Sequence, residues 1–452
     1  MLDVLVPRPT TPSQNLGVSE NQRDAGLVRA VGLFGLAASI ITLTIGAGIF
    51  EVPGALAACI GIYAPLAFLV CGVAIGAVAI CFAEGGSRMP TSGGAYGYVA
   101  DAFGPLTGYV VGTLLWISDL LAAGGVAAAL ADATASVVPI HLQPFARSAV
   151  ILCVIGGIAF VHIGGVERGA RLINIATLLK LLPLAIFVIA GASAIHRVNF
   201  VQPASHGTHD VGRALILAFF VLTGMEISLS ASGEVANPAR TIPRALIMAI
   251  VPVTLLYIVI QVTAQGILGT ALAHSSMPLV DAMARINPAL RLVMLSGAAI
   301  AMFGFLSGDI FCTPRILFAF ARDGLLPRVL GRLHPRSHTP YIAILCYAAL
   351  AITLALAGNF EELAVLSTLA TAALYMAACA AAWRLARKGV AEAGTPLNFR
   401  WLGVAMVVGV GSMLALIALA SRTEIIGLFV VIGASAAIYL IQTRYAPSHR
   451  RA

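Results

Sequence analysis

Charged residues are scarce in this chain. Asp, Glu, Lys and Arg make up 10% of its 452 residues, whereas a soluble domain carries about 25%. Hydrophobic residues account for 60% of the sequence, and the mean hydropathy is +0.97. So little charge could not cover the surface of a folded chain of this size in water, but a lipid bilayer removes that need. The composition therefore predicts an integral membrane protein.

The sequence also lacks the patterns of an enzyme, a metalloprotein or a nucleic-acid-binding protein. Its seven cysteines lie in apolar stretches without paired spacing, and its nine histidines show no metal-ligand spacing. No phosphate-binding Gly-rich loop with a Lys is present, and no Ser, His and Asp arrangement stands out. We expect no enzymatic activity, no cofactor and no metal. Membrane topology accounts for the net charge of +8, so nucleic acid is not an expected partner.

Apolar runs indicate about twelve membrane-spanning helices, since roughly 20 apolar residues cross the hydrocarbon. An even number places both termini on one side. Most of the 27 Lys and Arg residues lie in the tails and loops of that side, which the positive-inside rule assigns to the cytoplasm. The expected location is therefore the cytoplasmic (inner) membrane. The predicted spans are 31–60, 64–83, 104–131, 147–163, 172–193, 211–235, 244–268, 290–321, 341–357, 363–382, 401–420 and 424–442.

Two of these spans contain residues that weaken a helix. In the first span, Gly46 and Gly48 flank a small residue, and Pro53 follows shortly after. By itself this pattern also fits a kink or a tight helix crossing. In the sixth span, Gly224 and Glu226 lie inside an apolar run, where an acidic residue is costly and needs a partner or a function.

The two weakened spans are five spans apart. Interrupted helices in corresponding positions of two five-helix halves are a known pointer to a transporter binding site. Interruption frees backbone N–H and C=O groups, which lipid tolerates only where they line a cavity or bind something. A helix N-terminus favours a carboxylate, and free carbonyls favour an ammonium. An α-amino acid presents both groups.

Four motifs in register resemble the amino acid–polyamine–organocation transporter superfamily. The first is Gly-Ala-Gly-Ile-Phe at 46–50 with Pro-Gly at 53–54, and the second is Phe-Ala-Glu at 82–84 with Arg-Met-Pro-Thr-Ser-Gly-Gly-Ala-Tyr at 88–96. The third is Glu-Val-Ala-Asn-Pro-Ala-Arg-Thr-Ile-Pro-Arg-Ala at 234–245. The fourth is Ala-Arg-Asp-Gly-Leu-Leu-Pro at 321–327 with Thr-Pro at 339–340. The resemblance covers about residues 28–443.

This resemblance implies an all-α membrane protein that works by alternating access. Its fold would be a five-plus-five inverted repeat with two additional C-terminal helices, and its first and sixth helices would be broken. The implied division is a cytoplasmic N-terminal tail at 1–27, repeats at 28–195 and 196–385, helices eleven and twelve at 386–443, and a cytoplasmic tail at 444–452.

The resemblance also implies how a substrate is held. Backbone N–H groups of Ala47, Gly48 and Ile49 would bind its carboxylate. Carbonyls near the two breaks would bind its ammonium, and Phe220 would act as a gate. The predicted backbone positions are Thr44, Ile45, Gly46, Ala47, Gly48, Ile49, Phe220, Thr223 and Gly224.

Lys180 is the only Lys within a predicted span. The resemblance implies that its ammonium takes the place of the coupling sodium ion found in the wider fold. The alternative is a lysine that extends to the membrane interface. If the ammonium is buried, it is either a proton-coupling group or a fixed positive charge of an exchanger.

Four carboxylates lie in or beside the predicted core: Glu51, Asp119, Glu226 and Asp309. Glu226 is a candidate link between substrate occupancy and helix movement, and Glu51 is placed in the first turn after the break. The resemblance implies that Asp119 and Asp309, counted from the family's motifs, fall toward the substrate side chain, with Ser118 and Ser367 as nearby hydroxyls. We interpret them as an acidic pocket for a cationic amino acid or amine. Carboxylates that are paired elsewhere or protonated are the alternative.

Several readings stay open at this point. A diamine or polyamine would not need a site for a substrate carboxylate, and a neutral amino acid permease would not need an acidic pocket. A transporter-fold amine sensor would bind without net transport. Protons are a candidate coupling ion, symport and exchange are both compatible with the sequence, and the protein could be a monomer or a homodimer.

Overall fold

The computed structural model describes residues 31–89, 93–135, 138–200, 207–230, 232, 235–337, 339–392 and 395–445, without the side chains of 166–174, 208, 444 and 445. The predicted N-terminal tail, nearly all of the C-terminal tail, and the motif residues 90–92 and 234 lie outside the described residues. Within these ranges the chain is almost entirely helical and contains no strand, apart from one isolated bridge between Val31 and Val235.

The helices occupy all twelve predicted spans. Nine helical stretches of the described chain are long and apolar enough to cross a membrane, and three shorter apolar helices accompany them. The helices are α1 (Leu33–Thr44), α2 (Gly48–Ile60), α3 (Ala64–Arg88), α4 (Ala95–Phe103), α5 (Pro105–Ala135), α6 (Gln143–Ile163), α7 (Val166–Ala192), α8 (Thr208–Leu222), α9 (Met225–Leu229), α10 (Pro238–Leu268), α11 (Pro278–Ile286), α12 (Pro288–Cys312), α13 (Pro314–Arg322), α14 (Tyr341–Ala357), α15 (Phe360–Arg387), α16 (Leu402–Ala418) and α17 (Arg422–Tyr445).

Both predicted interruptions are present. The first span consists of α1 and α2 with a non-helical segment at 45–47, and the sixth consists of α8 and α9 with a non-helical segment at 223–224. The eighth predicted span also divides, since Pro314 begins α13 directly after Thr313. The short helices α4 and α11 lie between spans, and hydropathy alone did not indicate them.

Long helices surround the two interrupted ones. The α5 helix packs on α15, α3 on α10 and α7 on α12, while α1 contacts α10, α9 and α12. This arrangement places the non-helical segments in the buried middle of the bundle. Ile45 and Ala47, for example, have no exposed surface.

Glu84 and Arg88 of the second motif close the end of α3, which occupies the second predicted span. Arg88 and Glu84 form a buried ion pair at 2.7 Å, and Arg88 also donates to the Val390 carbonyl at 2.9 Å. Glu84 accepts a hydrogen bond from the amide of Phe399 at 2.9 Å. These contacts fix the segment between α15 and α16 against α3.

Gly224 occupies a position that only glycine tolerates. Its φ angle is +121°, and an added Cβ would lie 2.6 Å from the carbonyl oxygen of Leu43. An L side chain would therefore meet both backbone strain and a backbone atom that cannot rotate away.

We expect Gly224→Ala to lower the free energy of unfolding by about 1–3 kcal/mol, the usual cost of a strained backbone conformation. The midpoint of thermal unfolding in detergent measures this loss. Gly411→Ala is the matched control, because an added Cβ at Gly411 meets nothing within 4 Å. Equal midpoints for the two variants would contradict the proposed constraint at Gly224.

Candidate functional site

The two interruptions lie against each other. An added Cβ at Gly48, the first residue of α2, would lie 2.7 Å from the Val221 side chain on α8. In the second break, Gly224 lies close to the carbonyl of Leu43 on α1. Because glycines occupy the contacts, the two non-helical segments meet with little side-chain material between them.

A small cavity lies where the segments meet. It encloses about 20 Å³, which is room for about one water molecule. Its lining comes from both breaks and from α5, α12 and α15. Ten predicted site residues line it: Thr44, Gly46, Ala47, Gly48, Asp119, Phe220, Thr223, Gly224, Glu226 and Ser367. Phe305 and Thr371 also line it, although the sequence did not single them out.

The backbone at the cavity offers donors more readily than acceptors. Gly48 and Ile49 begin α2, and the first N–H groups of a helix have no partner in a preceding turn. The Thr44 carbonyl already accepts from the Tyr257 hydroxyl at 3.1 Å and from the Gly46 amide at 3.1 Å. A ligand ammonium at Thr44 would therefore have to displace or share with an internal donor.

The carbonyl at the second break is similarly occupied. Phe220 accepts from the amide of Thr223 at 3.1 Å and from its hydroxyl at 2.7 Å. The Phe220 ring lines the cavity and packs edge-on against Phe360, with 5.7 Å between ring centroids.

Lys180 is buried beneath the first break. Its side chain has no exposed surface, and its Nζ donates to the carbonyls of Thr42 at 2.6 Å and Ile45 at 2.9 Å. The Thr42 hydroxyl also bonds to the Thr177 hydroxyl on α7. Lys180 does not line the cavity, but it satisfies carbonyls that the interruption of the first span leaves without helical partners.

Glu226 faces the cavity from the first turn of α9. Its Oε2 accepts from the Gly224 amide at 3.0 Å and from the hydroxyl of Tyr375 on α15. The carboxylate therefore connects the second break to α15. Tyr375 was not predicted, since a tyrosine in an apolar span resembles an ordinary packing residue.

Asp119 and Asp309 belong to one hydrogen-bonded chain. Asp119 lines the cavity, and its Oδ2 lies 3.2 Å from the Thr313 hydroxyl. That hydroxyl lies 2.9 Å from Oδ1 of Asp309, and Oδ2 of Asp309 accepts from the Tyr347 hydroxyl at 2.5 Å. Asp309 thus lies behind the cavity, and Thr313 and Tyr347 are additional polar residues that the sequence did not reveal.

The three carboxylates of this region meet no basic side chain among the described residues. Asp119 and Glu226 are each 2% exposed, and Asp309 is 0% exposed. No Lys, Arg or His side chain that the structure describes lies within ion-pair distance of any of them. Three acidic groups at one buried site are costly unless they meet a cation or carry a proton.

The remaining predicted residues lie outside the cavity lining. Ser118 donates its hydroxyl to the Leu115 carbonyl of its own helix at 2.8 Å. Glu51 lies in the first turn of α2, as expected, but its side chain does not line the cavity. Ile45 and Ile49 are fully buried beside it.

Comparisons with known proteins agree with this arrangement. A profile described as "Amino acid permease" matches residues 31–441. The chain is 26% identical to the branched-chain amino acid permease BcaP of Bacillus subtilis over 88% of this chain and 89% of that protein. It is 27% identical to the serine/threonine exchanger SteT of the same organism, covering 82% and 86% of the two chains. Its identity to the chloroplastic cationic amino acid transporter 9 of Arabidopsis thaliana is 26%, over 72% and 60%.

The profile spans nearly the whole described chain, and the interrupted helices, the motifs and the relatives all point the same way. The chain is a multi-pass membrane protein that belongs to the amino acid permease family of the amino acid–polyamine–organocation superfamily.

Proposed function

We propose that this permease is a secondary-active transporter of amino acids or related amines, that it favours substrates with a cationic group, and that it works by alternating access. The observation that carries the proposal is the pair of carboxylates at the cavity. Asp119 and Glu226 both line it, both are almost fully buried, and neither meets a described basic side chain.

The physical argument concerns charge in a medium of low dielectric constant. An ionised carboxylate is expensive to bury alone, and an opposite charge within about 4–6 Å offsets much of that cost. A substrate ammonium or guanidinium at the cavity would supply this charge. The amides of Gly48 and Ile49 would donate hydrogen bonds to the carboxylate of an amino acid, because a helix N-terminus favours an anion.

A neutral amino acid is the second candidate, and the apolar part of the lining favours it. Ala122, Val126, Val221, Ile227 and Phe305 contribute apolar surface to the cavity. Two of the relatives carry names that refer to branched-chain amino acids and to serine and threonine. In this case the carboxylates would be protonated rather than paired with substrate. A diamine would instead leave the amides of α2 without a ligand.

The location and the orientation of the protein in the membrane belong to the same proposal. We place the protein in the cytoplasmic membrane with both termini inside, because Lys and Arg residues concentrate on that side. Exchange and proton coupling are both compatible with this arrangement. Flux into proteoliposomes separates a transporter from a sensor that only binds.

The first test is a thermal-shift screen of purified protein with lysine, ornithine, arginine, putrescine and neutral amino acids. A ligand that binds the folded state raises the unfolding midpoint by mass action, with about 2.7 kcal/mol gained at a hundredfold excess over Kd. We expect the cationic compounds to stabilise the protein, and we expect Asp119→Asn to remove most of that shift.

The control variant is Asp281→Asn, which removes a carboxylate that bonds to Ser275 on the exposed surface. It is expected to keep the full shift. Stabilisation by leucine, serine or threonine alone would contradict the cationic preference and leave the neutral alternative in its place.

A second test concerns Lys180. Substitution by Met keeps much of the side-chain volume but leaves the carbonyls of Thr42 and Ile45 without their donor. Each buried group left unsatisfied costs about 1–3 kcal/mol. We expect Lys180→Met to lower the unfolding midpoint and to abolish transport at every pH tested.

Lys388→Met, at an exposed position directly after α15, is the matched control and is expected to behave as the unmodified protein. If Lys180→Met transports at the original rate with the original pH dependence, Lys180 is neither a structural cation nor a coupling group.

A further inference from the structure

The hydroxyl of Thr313 lies between two buried carboxylates. Its Oγ1 is 3.2 Å from Oδ2 of Asp119 and 2.9 Å from Oδ1 of Asp309. Thr313 and Asp309 have no exposed surface, and Asp119 is 2% exposed. A threonine hydroxyl has a single proton to donate. It can therefore donate fully to one carboxylate but not to both.

The remaining donors distinguish the two acids. Asp309 accepts a second hydrogen bond from the Tyr347 hydroxyl at 2.5 Å. The nearest hydroxyl to the other oxygen of Asp119 is that of Ser118, at 3.5 Å, and Ser118 gives its proton to the Leu115 carbonyl at 2.8 Å. Asp309 thus has a tyrosine donor of its own, and Asp119 has none among the described residues.

In one arrangement of protons, each of these hydrogen bonds has one donor and one acceptor. If Asp119 is a carboxylic acid, it donates to Thr313 Oγ1, and Thr313 donates to an ionised Asp309. If both were ionised, two buried like charges would share one hydroxyl proton, which is strongly unfavourable. Glu226 presents the contrast, because it accepts from both the Gly224 amide and the Tyr375 hydroxyl and needs no proton to satisfy its bonds.

The titratable groups around Asp119 come from the helices packed on α5. Asp309 lies on α12, Glu226 on α9, Tyr347 on α14 and Tyr375 on α15. Lys180 on α7 is bonded to backbone carbonyls instead. Of the described titratable groups on α4, α6, α13 and α17, none makes a hydrogen bond or ion pair with Asp119. The nearby groups are therefore acidic or phenolic, and a proton on Asp119 relieves their mutual repulsion.

We infer that Asp119 is the proton-exchange site of this transporter, and that a substrate cation and a proton compete for its carboxylate. This inference rests on the proposed preference for cationic substrates. When the cation binds, the O–H bond of Asp119 breaks, the carboxylate keeps the electron pair, and the proton passes to water. When the cation leaves on the other side, the carboxylate takes up a proton again. One proton therefore returns for each substrate molecule carried.

The linkage has a defined sign. A lower pH favours the protonated acid, so the affinity for the cation is expected to weaken about tenfold for each pH unit while the acid form predominates. Transport of a singly charged substrate is expected to respond to a pH gradient and to be insensitive to membrane potential, because equal charges move in opposite directions.

The test combines two measurements on the full chain in detergent. Calorimetric titration with lysine or putrescine, repeated in buffers of different ionisation enthalpy, counts the protons released per ligand bound. We expect about one proton from the unmodified protein and from Thr113→Ala, whose hydroxyl serves only its own helix. Infrared spectroscopy of the ligand-free protein is expected to show a buried carboxylic acid C=O band that Asp119→Asn lacks.

The outcomes separate this inference from the proposed function. Binding of lysine or putrescine without proton release would overturn the role of Asp119 and leave the cationic preference intact. An acid band that persists unchanged in Asp119→Asn would also overturn it, because another group would hold the proton. Failure of every cationic compound to bind would overturn the cationic preference and the exchange together.

Discussion

A helix that stops in the middle of a bilayer leaves backbone N–H and C=O groups that no lipid can satisfy, and the rest of this structure answers that constraint. Lys180 donates to two carbonyls beneath the first break, and Tyr257 donates to the Thr44 carbonyl. At the second break, the Thr223 hydroxyl donates to the Phe220 carbonyl, and Glu226 accepts from the Gly224 amide. Among the described residues, the amides of Gly48 and Ile49 at the start of α2 have no backbone acceptor, and Gly48 lines the cavity. The internal partners therefore decide which backbone groups remain for a ligand.

The polar network extends outward from the breaks to the supporting helices. Tyr375 connects Glu226 to α15, while Thr313 and Tyr347 connect Asp119 to α12 and α14. Fully satisfied buried networks rigidify the groups they join, because each hydrogen bond is strong where water is absent. The carboxylates at the site are therefore hydrogen-bonded to side chains on several helices. A change in occupancy at Asp119 would be felt at α12 and α14 as well as at the cavity.

The sequence predicted the parts of this arrangement that are costly locally. Gly224, Glu226 and Lys180 violate the apolar pattern of a membrane helix, so each one is visible in its own span. Tyr375 and Thr313 violate nothing, since both residue types pack readily in apolar helices. Their partners lie far away in the chain, and only the packing of α15 and α12 against the broken helices brings them together. The short helices α4 and α11 were not predicted either, because nine residues are too few for a membrane span.

The contact between Gly224 and the Leu43 carbonyl has a mechanical meaning. Side chains between two moving segments can change rotamer and absorb displacement, whereas two backbones in direct contact cannot. An added Cβ at Gly224 would lie 2.6 Å from the Leu43 oxygen, so the segments already touch main chain to main chain. The last turn of α1 and the second break are therefore in direct backbone contact at this point. Side-chain rotamers at this contact could not absorb a shift of the end of α1 toward Gly224, so such a shift would displace the start of α9.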